Sequence, residues 1–139
     1  MNTQRSYSLT LTENQLAVVE KACDLYTRVF LGQLDSVAWL LTLVIEDVEK
    51  YQRLKEGLGE LKPLIWGQRN GGPGIRSERI PDNAKVAYDI VQVVRQVRAY
   101  QEKPEGGIGF NFDPPMISSL LEKLPIITPA DGLDDPRPS

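Results

Sequence analysis

The chain has 139 residues, of which 41% are hydrophobic and 25% charged, and its net charge is -3. This length is enough for one domain with a core of its own, and the composition is ordinary for a globular protein. Because the chain has no histidine and a single cysteine, Cys23, His/Cys zinc sites, internal disulfides, Ser-His-Asp triads and Cys-His pairs are all excluded.

Two further patterns limit location and chemistry. The longest uncharged apolar stretch, residues 36–45, is too short to span a bilayer, and the N-terminal residues lack the basic and apolar regions of a secretory signal. We therefore expect a cytoplasmic protein. No pair of carboxylates has a spacing typical of acid–base catalysis, so we expect no enzymatic activity, no metal and no cofactor.

The first forty residues predict a strand and then a helix. Apolar and polar residues alternate over residues 5–11, which is typical of a half-buried strand. Thr12 and Gln15 form a capping-box pattern that starts a helix, and Gly32 marks its end. The apolar positions of this helix follow helical spacing and comprise Leu16, Val19, Cys23, Tyr26 and Phe30.

A second helix is predicted from the Asp35-Ser36 cap to the glycines Gly57 and Gly59. Its apolar stripe comprises Val37, Leu40, Leu41, Val44, Val48 and Tyr51, and it should pack on the first helix. Trp39 falls on the polar side of this helix. An exposed tryptophan there indicates a contact surface, and we interpret it as a sign of self-association.

The loop of residues 66–81 is rich in glycine and arginine. Bare backbone amides and guanidinium groups are the two features that recognise anions. The candidate ligand-binding residues in it are Arg69, Asn70, Gly71, Gly72, Gly74 and Arg76. The loop matches neither the P-loop nor the dinucleotide fingerprint, so a generic turn is the alternative interpretation.

The third predicted helix follows this loop, with Pro81 before it and Asp82 as its cap. One stripe is fully apolar and should be buried: Val86, Ile90, Val93, Val94 and Val97. The opposite face is mixed and contains Ala84, Tyr88, Val91, Gln92 and Arg95. We expect Tyr88, Gln92 and Arg95 to contact a ligand, although a polar interface between subunits is an equally good interpretation.

Residues 108–112 alternate again and predict a second strand, which could pair with the first. The fold class predicted is α+β, mostly helical, with three main helices and a small antiparallel sheet. We expect one domain over residues 1–127 and a flexible tail over residues 128–139, because that tail is rich in proline and aspartate.

Two motifs together span much of the chain. The first is Leu25-Tyr26-Thr27-Arg28 followed by Gly32-Gln33. The second is the Gly74-Ile75 loop leading to Pro81, Ala84, Lys85, Ala87, Tyr88, Asp89, Ile90 and Arg95. On these motifs the chain resembles a family of small phage-encoded proteins, which is similar to the anti-Thoeris signal sponges of the first described type.

This resemblance implies an anti-defence protein that binds a cyclic ADP-ribose signal, or a cyclic oligonucleotide, without cleaving it. It implies a homo-oligomer, a dimer or a hexamer, in the host cytoplasm, with sites between protomers. In such proteins an aromatic ring and arginines hold the base and the phosphates. The two matched motifs add Arg28 and Ile75 to the candidate residues. No aromatic residue lies between Gln68 and Asp82, so Trp66 or a guanidinium group would have to stack on the base.

Three other functions are open to a chain of this kind. One is a protein–protein inhibitor or adaptor without a small ligand, acting through Trp39 and the mixed helix face. Nucleic-acid binding is disfavoured, because the net charge of residues 67–100 is +3 and that of the remainder is -6. A nucleotide hydrolase would need Asp82, Asp89 and Asp113 as metal ligands, and each has a simpler structural role.

Overall fold

The computed structural model describes residues 4–68, 71–130 and 132–138. Within these ranges the chain forms five α-helices and one 3-10 turn: α1 (Glu13–Phe30), α2 (Ser36–Leu41), α3 (Val48–Gly59), α4 (Lys62–Trp66), α5 (Asp82–Glu102) and η1 (Phe110–Phe112). The same ranges contain no β-strand, so the predicted α+β class is wrong and the fold is helical. None of the helices described has the length and hydropathy that crossing a membrane requires.

Neither of the two predicted strands forms, and the two segments differ in what their apolar residues contact. Residues 4–10 run irregularly with exposed side chains. In the second segment, Phe112 packs edge-on against Tyr100 of α5, with ring centroids 5.2 Å apart. A Cβ atom placed on Gly107 would lie 2.9 Å from the Phe112 ring, so the chain wraps closely around this ring. The contact favours a 3-10 turn over an extended strand.

Helix α1 begins and ends as its sequence predicts. Thr12 Oγ1 accepts a hydrogen bond from the Gln15 amide at 3.1 Å, and the Gln15 side chain accepts one from the Thr12 amide at 2.9 Å. At the other end, Gly32 has a left-handed φ of +79°. The Gly32 and Gln33 amides donate back to the carbonyls of Val29 and Arg28, which is the Schellman pattern of helix termination.

The predicted second helix is instead two helices, because Asp47 starts a new one. Asp47 Oδ1 accepts hydrogen bonds from the amides of Glu49 and Lys50 at 2.9 and 3.2 Å. This side chain satisfies the first turn of α3 and so competes with continuation of α2. Val44 and Val48, which were expected in a buried stripe, are exposed. Helix α3 packs against α2 across the break.

Helix α5 is the central element, and it is covered on more than one side. Val93, Val94 and Val97 are buried as predicted, whereas Ala84 and Val91 of the supposed mixed face are buried too. Helix α1 packs along α5 in the antiparallel sense, because Thr27 Oγ1 donates to the Ala84 carbonyl while Arg98 contacts Glu13 and Glu20. The division into one buried and one open face is therefore wrong.

The segment of residues 117–122 covers another part of α5 and is held there by carboxylates. Asp89, which is 2% exposed, accepts hydrogen bonds from the Ser118 and Ser119 amides at 2.8 and 3.0 Å. Asp82 was expected to cap α5, but its oxygens accept from the Leu120 amide at 2.8 Å and from the Ser119 hydroxyl at 2.7 Å. These two hydrogen bonds hold the pKa of Asp82 below its ordinary value of 3.8, and the bond from the Leu120 amide has the larger effect.

Acidification should release this segment. Because the folded pKa of Asp82 is lowered, its contribution to stability is complete above the ordinary value of 3.8 and is lost as the pH falls through the lower, folded value. We expect hydrogen exchange at the Leu120 amide to lose protection as the pH falls below the ordinary value of 3.8. In Asp82→Asn, whose side chain does not titrate, that pH dependence should be absent; an unchanged profile would contradict the assignment.

Gly32 is required where α1 ends. Its left-handed backbone disfavours a side chain, and a Cβ atom would lie 2.7 Å from Cδ1 of Trp66. We expect Gly32→Ala to lower the free energy of unfolding by about 2 kcal/mol in urea titrations. The control is Gly57→Ala inside α3, where an added Cβ atom has no neighbouring atom of the described residues within 4 Å. There the free energy of unfolding should rise by about 0.5 kcal/mol. Equal effects at the two glycines would contradict this.

Candidate functional site

The glycine loop lies beside the C-terminal end of α1. Gly71 and Gly72 have left-handed φ values of +74° and +134°, and a Cβ on Gly72 would be 3.8 Å from the Leu31 carbonyl oxygen. The C-terminal end of a helix carries partial negative charge, which does not favour an anion. Arg69 and Asn70 lie outside the described residues. Gly74 and Arg76 are exposed, and Ile75 is half-buried.

Trp66, which the sequence offers as a stacking ring, is already engaged by its own chain. The Arg79 guanidinium lies over the indole, 4.7 Å from the ring centroid, and the indole Nε1 donates to the Phe30 carbonyl at 3.0 Å. Gly32 packs against the same ring. The loop is thus fastened to α1 by Trp66 and Arg79, and these two side chains serve the fold.

Two of the predicted arginines, Arg28 of α1 and Arg95 of α5, contact the same carboxylate, that of Asp24, although they are far apart in sequence. The Arg28 Nε donates to Asp24 Oδ2 at 2.8 Å, and one terminal nitrogen of Arg28 donates to Gln33 Oε1 at 2.8 Å. The Arg95 guanidinium of α5 lies 3.8 Å from the other oxygen of Asp24. Tyr88 and Gln92 follow the same side of α5 as Arg95 at helical spacing, and both are half-buried.

Arg28 and Asp24 line a groove of about 400 Å³ between α1, α2 and α3. Its lining combines two aromatic rings, three cations and two carboxylates: Lys21, Asp24, Leu25, Arg28, Asp35, Ser36, Trp39, Leu40, Tyr51 and Lys55. Trp39 is 71% exposed, so most of its surface can be reached from solvent. The lining therefore carries a net charge of +1 beside two rings, which suits a ligand that has both an anionic and an aromatic part.

The break between α2 and α3 makes this groove possible. In one continuous helix, Trp39 and Lys55 would be separated by about 24 Å along the axis. Because Asp47 starts a new helix that packs back on α2, both side chains line the same groove. The sequence signals Arg28 and Trp39, but it places Tyr51 in a buried stripe and gives no signal for Lys21 or Lys55 as site residues.

A larger groove, of about 860 Å³, lies between the first half of α1 and the second half of α5. Its lining is Glu13, Glu20, Arg95, Arg98, Ala99, Gln101, Glu102, Lys103, Asn111 and Phe112. Its three cations face three carboxylates, and Arg98 is bound to Glu13 and Glu20 at 3.1 Å each. The charges of this groove are balanced internally, so the smaller groove is the better candidate for an anionic ligand.

Other titratable groups that the sequence singles out have structural partners. The oxygens of Asp82 and Asp89 accept hydrogen bonds from residues 118–120, which leaves them poorly placed to coordinate a metal as a hydrolase would require. Burial raises the pKa of the Cys23 thiol, which favours the protonated, unreactive form. This agrees with the prediction that Cys23 serves as a small apolar residue.

Comparison of this chain with models of known protein families, with curated proteins and with solved structures finds no match.

Proposed function

We propose that this protein binds a cyclic ADP-ribose or cyclic oligonucleotide signal and sequesters it without cleaving it, as an oligomeric phage anti-defence protein in the host cytoplasm. The observation that carries the proposal is the groove between α1, α2 and α3, where Trp39 and Tyr51 accompany Lys21, Arg28 and Lys55. The immune signal as ligand rests on the resemblance of the motifs around Arg28 and Arg95.

The two halves of such a ligand match the two kinds of side chain in the groove. A base can stack on an exposed indole or phenol ring, and stacking of this kind contributes about 1–3 kcal/mol per base. Guanidinium and ammonium groups bind phosphate oxygens through charge-assisted hydrogen bonds. Because Arg28 is also held by Gln33, its guanidinium is already oriented before a ligand arrives.

Sequestration makes a specific demand on the bound state. The ligand must be released unchanged when the protein is denatured, because a sequestering protein binds its ligand and catalyses no reaction on it. We expect calorimetric titration with cyclic ADP-ribose isomers and cyclic dinucleotides to give saturable binding to at least one of them. Mass spectrometry of the denatured complex should recover the intact ligand, and recovery of a hydrolysed product would overturn the proposal.

The contribution of the groove's cations to ligand binding can be tested by substituting two lysines of α3, one inside the groove and one outside it. Lys55 lines the groove, whereas Lys50 is an exposed lysine of the same helix outside the lining. We expect Lys55→Ala to weaken binding of the ligand about fivefold and Lys50→Ala to change it less than about twofold in the same titrations. Equal effects would mean that only the overall charge of the protein matters and would remove the groove as the site.

The alternative function, a protein–protein inhibitor or adaptor without a small ligand, has its own observation. The link from α2 to α3 exposes apolar side chains next to Trp39, among them Leu43 at 83% and Val44 at 75%. A surface of this kind is typical of a protein contact, and it also suits the homo-oligomer implied by the resemblance. Under the adaptor function, no nucleotide should raise the thermal unfolding midpoint.

Self-association through this link is testable on its own. We expect the double substitution Leu43→Ser and Val44→Ser to lower the mass measured by light scattering, because it removes apolar area from the contact. The control is Leu64→Ser on α4, which is equally exposed at 83%. A wild-type protein that stays monomeric at every concentration measured would contradict the oligomer.

A further inference from the structure

The carboxylate of Asp24 contacts two arginines, Arg28 of its own helix and Arg95 of α5. Asp24 Oδ2 accepts the Arg28 Nε hydrogen bond at 2.8 Å, and its other oxygen is 3.8 Å from an Arg95 nitrogen. Asp24 and Arg28 line the smaller groove, and Arg95 lines the larger one. The carboxylate therefore lies in the smaller groove and within 3.8 Å of an arginine that lines the larger one.

We propose that Asp24 is an internal competitor that sets which anions this site accepts: a ligand phosphate must displace its carboxylate from Arg28 and Arg95 in order to bind. This inference deepens the proposed function and rests on the groove described above. The ligand group concerned is a phosphate or pyrophosphate.

The contacts of Asp24 are weak enough for a ligand phosphate to replace its carboxylate at the two arginines. Of these two arginines, Arg28 alone lies within hydrogen-bonding distance of Asp24, since 3.8 Å to Arg95 is an ion pair without a good hydrogen bond. A pyrophosphate bridge between two sugars has four free oxygens and two negative charges, so it can bind both guanidinium groups. The side chains are 40% exposed for Arg28, 34% for Asp24 and 36% for Arg95, so a ligand can reach all three from solvent.

Displacement should leave Arg28 in place. Its terminal nitrogen donates to Gln33 at 2.8 Å, and Gln33 lies in the Schellman turn that ends α1. Asp24 can move away by a change of its own side-chain rotamer, because it lies on the surface of α1 and is partly exposed. The competitor thus acts on charge, and its removal should strengthen binding of any small phosphate.

The test uses two substitutions that remove one negative charge from the same groove. Asp24→Asn removes the carboxylate that contacts the arginines, and Asp35→Asn removes the second carboxylate of the lining. Pyrophosphate and ADP are titrated into the full chain by calorimetry. We expect Asp24→Asn to strengthen binding of both about fivefold and Asp35→Asn to change it less than about twofold. If Asp24→Asn fails to fold, Asp24→Ser tests the same direction.

The outcomes separate this inference from the proposed function. If the two substitutions act equally, or if Asp24→Asn weakens binding, the competitor role is wrong even when cyclic nucleotides bind the wild type. If Asp24→Asn strengthens pyrophosphate binding but no nucleotide binds better than pyrophosphate, the inference stands and the proposed function falls. If neither pyrophosphate nor ADP binds any variant, the inference is overturned.

Discussion

Helix α5 is buried on several sides, and this burial determines where the neighbouring segments lie. Val91 and Val94 are fully enclosed, and so is the carboxylate of Asp89. A buried carboxylate without partners would cost several kcal/mol, and the two amide hydrogen bonds from Ser118 and Ser119 offset that cost. The C-terminal segment is therefore fixed to α5 by charge as well as by packing. With this side of α5 covered, α1 must take the other side.

The position of α1 then follows from contacts distributed along its length. Thr27 at one end donates to the Ala84 carbonyl, while Glu13 and Glu20 at the other hold Arg98. Contacts at both ends fix the register of an antiparallel helix pair. Asp24 and Arg28 flank Thr27 on α1, so that register brings them next to Arg95. The proximity of Arg28 and Arg95 to Asp24 therefore results from the packing of α1 on α5 and does not involve the glycine loop.

Local signals in the sequence predict both ends of α1, but they miss the start of α3 and predict the tertiary arrangement poorly. The capping box at Thr12 and the left-handed turn at Gly32 act over a few residues, so the sequence alone shows both. The burial of Ala84 and Val91 depends on what else covers α5, and helical periodicity cannot reveal a second covering segment. The predicted strands show the same limit, because alternation requires a neighbouring strand before it becomes a sheet.

The candidate site depends on the break between α2 and α3 at Asp47. Asp47 has the residue type of an N-cap, yet Val44 and Val48 around it continue an apolar stripe, and the stripe predicts one long helix. The cap prevails because the hydrogen bonds to Glu49 and Lys50 satisfy amides that α3 leaves open, while the valines lack a surface to pack against. Only after that break can Tyr51 and Lys55 approach Trp39. A site assembled in this way would require a fixed angle between α2 and α3, and the Asp47 cap is the contact that fixes where α3 starts.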